Sequence, residues 1–436
     1  KNVSDKELEN NSIKLFINDV QKTPASFNIE AGGETEVILS FASRETGIRY
    51  CRIEINDYPV TFDDQFYFSF EVSKNISVLS INGGQELSES SYLNKLFASD
   101  SLFIFKNMKE NNLDYSLLSS SNLIILNELK AVPSGLAQEL KRFMQNGGSV
   151  LVFPNKEAEL NSYKDFFATV RANYFERMDT SNTKVDKINL EHFIYKDVFD
   201  KKTFSATNLD LPKVYEHFSL SRTTRSNEEY LLKMQNGETF LSKYDVEKGK
   251  LYICAAGLGD NFTNFAKHGI FVPTLYKIAM YSMNSQPLFY TIGNNEVIEH
   301  NGIISGENVF RIKSKSSKFE IIPEHKALDF KTVILVHDQI KEAGNYDLAV
   351  NTETVSGLSF NFNRKESDLT ALNSDELKQE IINSNLINIK VLDIDSKSIT
   401  QSLMEVSQGI KLWKFCIILT LLFLAIEVLL LRFMKG

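Results

Sequence analysis

The feature that most constrains this chain is the run from Leu412 to Leu431, LWKFCIILTLLFLAIEVLLL. At about 20 residues it makes roughly 30 Å of helix, the thickness of a hydrocarbon core. A core helix of a soluble protein would carry a polar stripe, yet between Phe415 and Leu431 only Thr420 and Glu427 are polar. The run predicts a transmembrane helix over residues 411–433. Its flanks agree: Trp413 with Lys411 and Lys414 suits one headgroup region, and Arg432 with Lys435 suits the other.

Two basic residues stand at each end, so charge alone does not orient the span. The tail after Leu431 is five residues long, which puts the folded mass on one side. Glu427, one turn from the end of the span, is costly against lipid; it reads either as facing a partner helix or as reaching the wetted interface. The chain opens on Lys1 without a signal peptide. A large exported body on a C-terminal anchor needs an upstream export signal or membrane segment, so a longer chain is expected.

The remainder has the composition of a protein folded in water. Hydrophobic residues are 43% and charged residues 24%, which argues against disorder, a collagen-like fibre or a polytopic membrane protein. With 436 residues, at about 150 per domain, two to four domains are expected. Lys and Arg total 48 against 56 Asp and Glu, a net charge of -8. No positive field exists to draw in phosphate backbones, so nucleic acid is not an expected partner. Cys51, Cys254 and Cys416 lack metal-ligand spacing, and the low cysteine density disfavours the one conceivable disulfide, Cys51 to Cys254.

Between Ser12 and Val72 five runs have strand character: IKLFIND, PASFNIE, TEVILSFAS, IRYCRIEI and QFYFSFEV. Their spacing predicts a β-sandwich, with Phe66, Phe68 and Phe70 on the core face and Tyr67, Ser69 and Glu71 opposite. From ISVLSI onward buried strands alternate with helices, including NLIILNEL, the amphipathic SGLAQELKRFMQN and GGSVLVFP, as in a parallel sheet covered on both faces. Residues 170–244 read as an antiparallel extension or an insertion, after which GKLYICAAGLG returns to a buried strand. One long helix is expected over 261–283. Short strands resume from Pro287 and predict a second sandwich, then a helix with Ser374 as N-cap, a strand INIKVLDI and the approach to the membrane. The expected organisation is an Ig-like sandwich over 1–73, an α/β domain over 74–285, a second β-rich domain over 286–410 and the anchor over 411–433.

Tests for chemistry find no catalytic, cofactor or metal residues to assign. The buried strands end in Asn82-Gly83-Gly84, Asn127-Glu128 and Gly257-Leu258-Gly259-Asp260, and none carries a GxSxG or GxCxG elbow. Cys254 sits within its strand, where a small buried apolar residue belongs. The histidines at 192, 217, 268, 300, 325 and 337 never take HxH or HExxH spacing. Gly257-Leu258-Gly259 begins a dinucleotide fingerprint that Phe262 breaks, so a tight connection is expected there, and Gly147-Gly148 reads as a helix C-cap. Asp57, Asp63 and Asp64 lack calcium-loop spacing and read as turn residues.

The stretch Asp57-Tyr58-Pro59 through Asp63-Asp64-Gln65-Phe66-Tyr67-Phe68-Ser69-Phe70-Glu71-Val72 resembles the D-x-x-x-x-x-D-N-x-x-Y-F-x-x-x-V motif of BatA-type, aerotolerance-regulator membrane proteins of Bacteroidota. Where that motif has asparagine, this chain has Asp64-Gln65. The ending from Leu412-Trp413-Lys414-Phe415 through Glu427 to Leu431-Arg432-Phe433 resembles their last anchor, and the α/β segment looks like their degenerate class I glutamine-amidotransferase-like domain. The resemblance implies two further membrane helices upstream and an inner-membrane location with the bulk in the periplasm. It also implies work with a MoxR-type AAA+ ATPase and von Willebrand factor A domain proteins, and it implies no reaction. The expected function is a non-catalytic envelope scaffold or adaptor; the alternatives are an envelope hydrolase or amidotransferase and a glycan-binding protein.

Overall fold

The computed structural model describes all residues except 3, 5, 43–44, 57–60, 63, 74, 85–90, 197, 200–209, 223–225, 284–285, 302–307, 329–330, 368–371, 387, 390, 392–411 and 434–436. The described chain is mostly sheet, with few helices and one C-terminal apolar helix, and it forms two compact units, Lys1–Ser367 and Asp368–Gly436.

The first unit begins with β1 (Leu8–Ile17), β2 (Val20–Ile29), β3 (Gly47–Ile55) and β4 (Gln65–Val72), one antiparallel sheet in the order β2-β1-β3-β4. Phe68 and Phe70 turn to the face that holds Leu15, Ile17 and Cys51, as their alternation predicts. The expected strand over 35–43 joins no ladder through residue 42. Leu39 packs under the sheet and Thr23 Oγ1 donates to the Ser40 carbonyl, so a side chain takes the place of main-chain pairing, and Ile38 is left 88% exposed.

Next come β5 (Ile76–Asn82), α1 (Tyr92–Phe97), β6 (Phe103–Lys109), α2 (Ser116–Ser119), β7 (Leu123–Leu129), α3 (Ser134–Gln145), β8 (Ser149–Pro154) and α4 (Leu160–Thr169). Then follow β9 (Phe175–Asp179), β10 (Thr183–Ile188), β11 (Lys213–Val214), β12 (His217–Leu220), β13 (Glu229–Met234), β14 (Thr239–Val246), β15 (Gly249–Cys254) and α5 (Phe271–Met280). Nine of these strands make one sheet, β11-β10-β13-β14-β15-β8-β7-β5-β6, whose strands from β15 to β6 are parallel. The parallel strands are apolar on both faces: Leu123 to Leu126 are all fully buried. The antiparallel extension lies where the break in rhythm after residue 170 predicts it.

Helix α3 buries Leu136, Leu140, Phe143 and Met144 and closes in a Schellman turn. Gly148 N–H bonds to the Phe143 carbonyl and Gly147 N–H to that of Met144, with Gly147 at φ +100°. The single helix expected over 261–283 is instead a short 3₁₀ turn at Phe265–Lys267 followed by α5. A helix running through Pro273 would set its ring against the Gly269 carbonyl; restarting at Phe271 puts the proline in the first turn.

The first unit ends with β16 (Tyr290–Thr291), β17 (Val297–Asn301), β18 (Phe310–Ser314), β19 (Glu320–Ile321), β20 (Glu324–Leu328), β21 (Lys331–Leu335), β22 (Gly344–Val350) and β23 (Glu353–Asn361). They form sheets β16-β23-β22-β18-β19 and β17-β21-β20, and the core between them draws Phe310 and Leu348 from one and Ile298 and Ile334 from the other. This is the layering of a sandwich. The five-stranded sheet also covers the second face of the N-terminal one, where Gly357 lies so close to Ile48, Tyr50 and Ser69 that a Cβ would overlap Ile48 Cγ2 at 2.5 Å. Residues 1–73 therefore supply one layer, and residues 290–361 supply the layer that packs on it.

In the second unit α6 (Ser374–Asn383) is capped by Asn373 rather than Ser374. The Asn373 side chain accepts the N–H groups of Asp375 and Glu376, and the Glu376 carboxylate returns to the Asn373 N–H. Helix α7 (Trp413–Phe433) is the apolar run, 21 residues long enough to cross a membrane, with its described side chains exposed. Most of the strand expected at 387–394, and all of residues 400–409, lie outside the described residues.

Candidate functional site at the carboxyl ends of the parallel strands

The parallel strands lie in the order β6-β5-β7-β8-β15, so the chain moves one way from β5 to β6 and then back across β5 to β7. Crossovers that diverge from neighbouring strands leave a crevice at their carboxyl ends, and ligands of open α/β sheets bind there. Here the divergence falls between β5 and β7, which end in Asn82 and in Asn127-Glu128-Leu129.

Register places Asn82 directly opposite Asn127 and Ser80 opposite Asn107. The three amides form a chain: Asn127 Nδ2 donates to Asn82 Oδ1 at 2.5 Å, and Asn82 Nδ2 donates to Asn107 Oδ1 and, at 3.3 Å, to Ser80 Oγ. At its head, Asn127 Oδ1 is buried and has no hydrogen-bond donor among the described residues.

Glu128 follows at φ +56°, a left-handed conformation that a side chain with a Cβ rarely adopts. Three contacts hold it. Its carbonyl accepts Asn155 Nδ2 at 3.0 Å, and a Cβ on Gly83 would meet that carbonyl oxygen at 2.3 Å, so only glycine lets the two turns pass. Burial pushes its carboxyl above the usual range, and a hydrogen bond from the Gly259 N–H partly offsets the shift. Beside it Asp260 accepts Lys267 Nζ at 2.7 Å and faces the Tyr92 hydroxyl at 3.5 Å.

The strand ends singled out in the sequence thus converge, with Tyr92, Asn107, Asn155 and Lys267 added by the fold. One signal for them was present: an asparagine recurs within two residues of the end of successive apolar strands, at 82, 107, 127 and 155. Gly257 sits in a tight connection, since a Cβ there would meet the Pro154 carbonyl oxygen at 2.7 Å and the Phe262 ring at 2.8 Å.

The other sequence candidates are dispersed. Cys254 is fully buried, and burial pushes its thiol up to about 12; Cys51 is likewise buried and free. His192 lies against Glu229 at 3.2 Å and His217 against Glu238 at 2.8 Å, while the rings of His300 and His325 flank Phe310. Among the described residues no three His, Cys, Asp or Glu side chains group as a metal site; Asp57 and Asp63 lie outside them. Trp413, Lys414, Glu427 and Arg432 lie on α7, where the Lys414 ammonium sits 5.7 Å from the Trp413 ring; Lys435 falls outside the described residues.

Two cavities open where the sheets join. One of about 440 Å³ lies among Phe16, Tyr50, Arg52, Tyr67, Lys315 and Asn345. The other, about 600 Å³, is walled by Phe70, Met280, Met283 and Leu288 and holds Lys250, whose Nζ donates to the Tyr281 carbonyl and whose pKa burial lowers.

No family model matches this chain, and no curated protein matches it. Among solved structures it is similar to a cytoplasmic protein of Salmonella typhimurium LT2, at 15% identity and TM-score 0.37 over 47% of this chain and 98% of that one. It is also similar to a ThuA-like protein of Bacteroides uniformis ATCC 8492, at 14% identity and TM-score 0.36 over 52% of this chain and 95% of that one. A beta-galactosidase from Bacillus circulans sp. alkalophilus matches at 12% identity and TM-score 0.33 over 61% of this chain and 42% of that one. At such TM-scores these likenesses carry no argument about fold or activity.

Proposed function

We propose that this chain is a membrane-anchored, non-catalytic scaffold or adaptor subunit of a cell-envelope complex, fixed by α7 in a bacterial inner membrane with its bulk in the periplasm. The observation that carries the reading is α7, whose apolar side chains are exposed along its length and need lipid or another span to cover them. The nine-stranded sheet is, on this reading, the degenerate amidotransferase-like domain that the sequence resemblance implies. Cys254 supports the inactive assignment, because a fully buried thiol pushed up to about 12 is neither ionised nor reachable. The packing of the first and last sheets of unit one on each other suits a body that holds partners in fixed positions. The partners proposed are a MoxR-type ATPase and von Willebrand factor A domain proteins, with Glu427 facing a partner helix.

Affinity purification of the full-length protein from its native membrane in mild detergent, with mass spectrometry and size analysis, tests the reading. Stable recovery of such a partner supports it. A lone monomer surviving gentle extraction, or turnover that depends on a residue of the nine-stranded sheet, overturns it.

A further inference from the structure

Independently of the scaffold reading, we infer that the cavity of about 600 Å³ beside α5 binds an acyl chain ending in a carboxylate, with Lys250 at the head and Met280, Met283 and Leu288 along the chain. Its volume falls in the range of roughly 300 to 1,000 Å³ usual for small-ligand cavities. Strand β15 brings Lys250, the end of α5 and the turn after it bring Met280 and Met283, and the approach to β16 brings Leu288.

Two observations define the ligand. The first is the wall. Met280, Met283 and Leu288 are 36%, 41% and 50% exposed, and all three line this one cavity, so apolar surface left in water by folding is gathered at a single opening. Methionine side chains are unbranched and adapt to a flexible chain laid against them.

The second is Lys250, which is half-buried and whose Nζ donates to the Tyr281 carbonyl at 2.9 Å. Among the described residues no carboxylate pairs with it. Asp245, opposite it in the ladder, is held by Lys243 at 2.8 Å, and Glu71, the carboxylate among the described lining residues, is exposed and screened by water. Burial, and after it the nearby Lys243, lower the Lys250 pKa, as expected of an amine short of a counter-charge. A fatty acid supplies that charge whichever form the amine takes. Its carboxylate meets the ammonium as a counter-ion, and where the amine is neutral the acid's own proton passes to the nitrogen and gives the same ion pair.

The test titrates the full-length protein in phosphatidylcholine nanodiscs with decanoate and with decyltrimethylammonium, the same chain under a cationic head, and reads the heat against empty discs. Decanoate is expected to bind saturably with Kd below about 1 mM, and the cation is not. Lys250→Met, which keeps an unbranched side chain and removes its nitrogen, is expected to weaken decanoate by about tenfold or more. Lys250→Arg, which keeps the charge, is expected to retain it. Met283→Asp, at a residue exposed enough to take a charge without unfolding the chain, is expected to weaken it by about tenfold or more. No saturable decanoate binding, equal binding of the cation, or decanoate binding untouched by Lys250→Met and Met283→Asp would overturn the inference.

Discussion

The Asn361 side chain pairs with Tyr67 as a neighbouring strand would: its Nδ2 donates to the Tyr67 carbonyl at 2.7 Å, and its Oδ1 accepts the Tyr67 N–H at 2.7 Å. These residues lie 294 positions apart. Strand β4 is a sheet edge, and two residues on the Ser69 N–H bonds to the Leu288 carbonyl, so the C-terminal strands supply the pairing that the edge lacks. Tyr50 adds a hydroxyl bond to Asp347, and Asn345 Nδ2 reaches the Cys51 carbonyl.

Asn361→Ala strands both main-chain groups of Tyr67 in a half-buried joint. A loss of about 2 kcal/mol is expected in denaturant unfolding of the full chain, with faster hydrogen exchange at Tyr67 and Ser69. Unchanged exchange at both amides would show that the pairing does not hold the edge.

Adjacent glycines give a sharper contrast. A Cβ on Gly83 would lie 2.3 Å from the Glu128 carbonyl oxygen and 2.6 Å from Leu129 Cα, both backbone atoms that cannot swing aside, whereas a Cβ on Gly84 meets nothing within 4 Å among the described residues. Gly83→Ala is expected to cost about 3 kcal/mol and Gly84→Ala less than about 0.5 kcal/mol in thermal unfolding. Equal effects would refute the close approach of the two strand ends.

Much of this was legible in the sequence because the signals were local. The buried strands and α7 are long apolar runs, the Phe66, Phe68, Phe70 alternation marks one face, and Gly147-Gly148 marks a helix end. What was not legible depends on distant partners. Nothing within residues 1–73 announces that their second layer lies beyond residue 290. The strand Glu324–Leu328 is exposed throughout and reads as polar chain, because its pairing with β21 rather than burial makes it a strand. The run at 35–43 has strand composition but receives a side chain instead of a ladder. At the candidate site the strand ends were readable; the register that sets Asn82 opposite Asn127, and the left-handed turn at Glu128, were not.

The thiols are expected to behave as buried apolar groups. Burial pushes both Cys51 and Cys254 up to about 12, so in the folded protein near pH 8 neither should react with a maleimide within an hour, and both should react at once in denaturant. Mass mapping of the modified residues checks this. Rapid native labelling of Cys254 would reopen the question of a nucleophile in the nine-stranded sheet.

His192 gives the acid side of the stability profile. Burial lowers its pKa below 6.5 against an opposing pull from Glu229, so the native state holds it neutral where the unfolded chain already binds a proton. Stability is then full above about pH 6.5 and falls as pH drops from there towards the lowered native value. His192→Gln should flatten that part of the stability curve. A slope between pH 7 and pH 5 that is identical in the variant would remove His192 as its source.

The anchor makes the most exposed prediction. If α7 spans lipid, two arginines near its centre must be dragged into hydrocarbon or the helix must leave it, at about 2.5 to 3.5 kcal/mol for each. Leu421 and Leu424 are 62% and 52% exposed and meet no protein core within α7 that a substitution could disturb. In residues 1–436 expressed without any upstream segment, Leu421→Arg with Leu424→Arg should therefore move the protein from the carbonate-resistant membrane pellet to the soluble fraction while leaving the melting of Lys1–Ser367 unchanged. Retention of the double variant in the pellet would mean that something other than α7 holds the chain at the membrane.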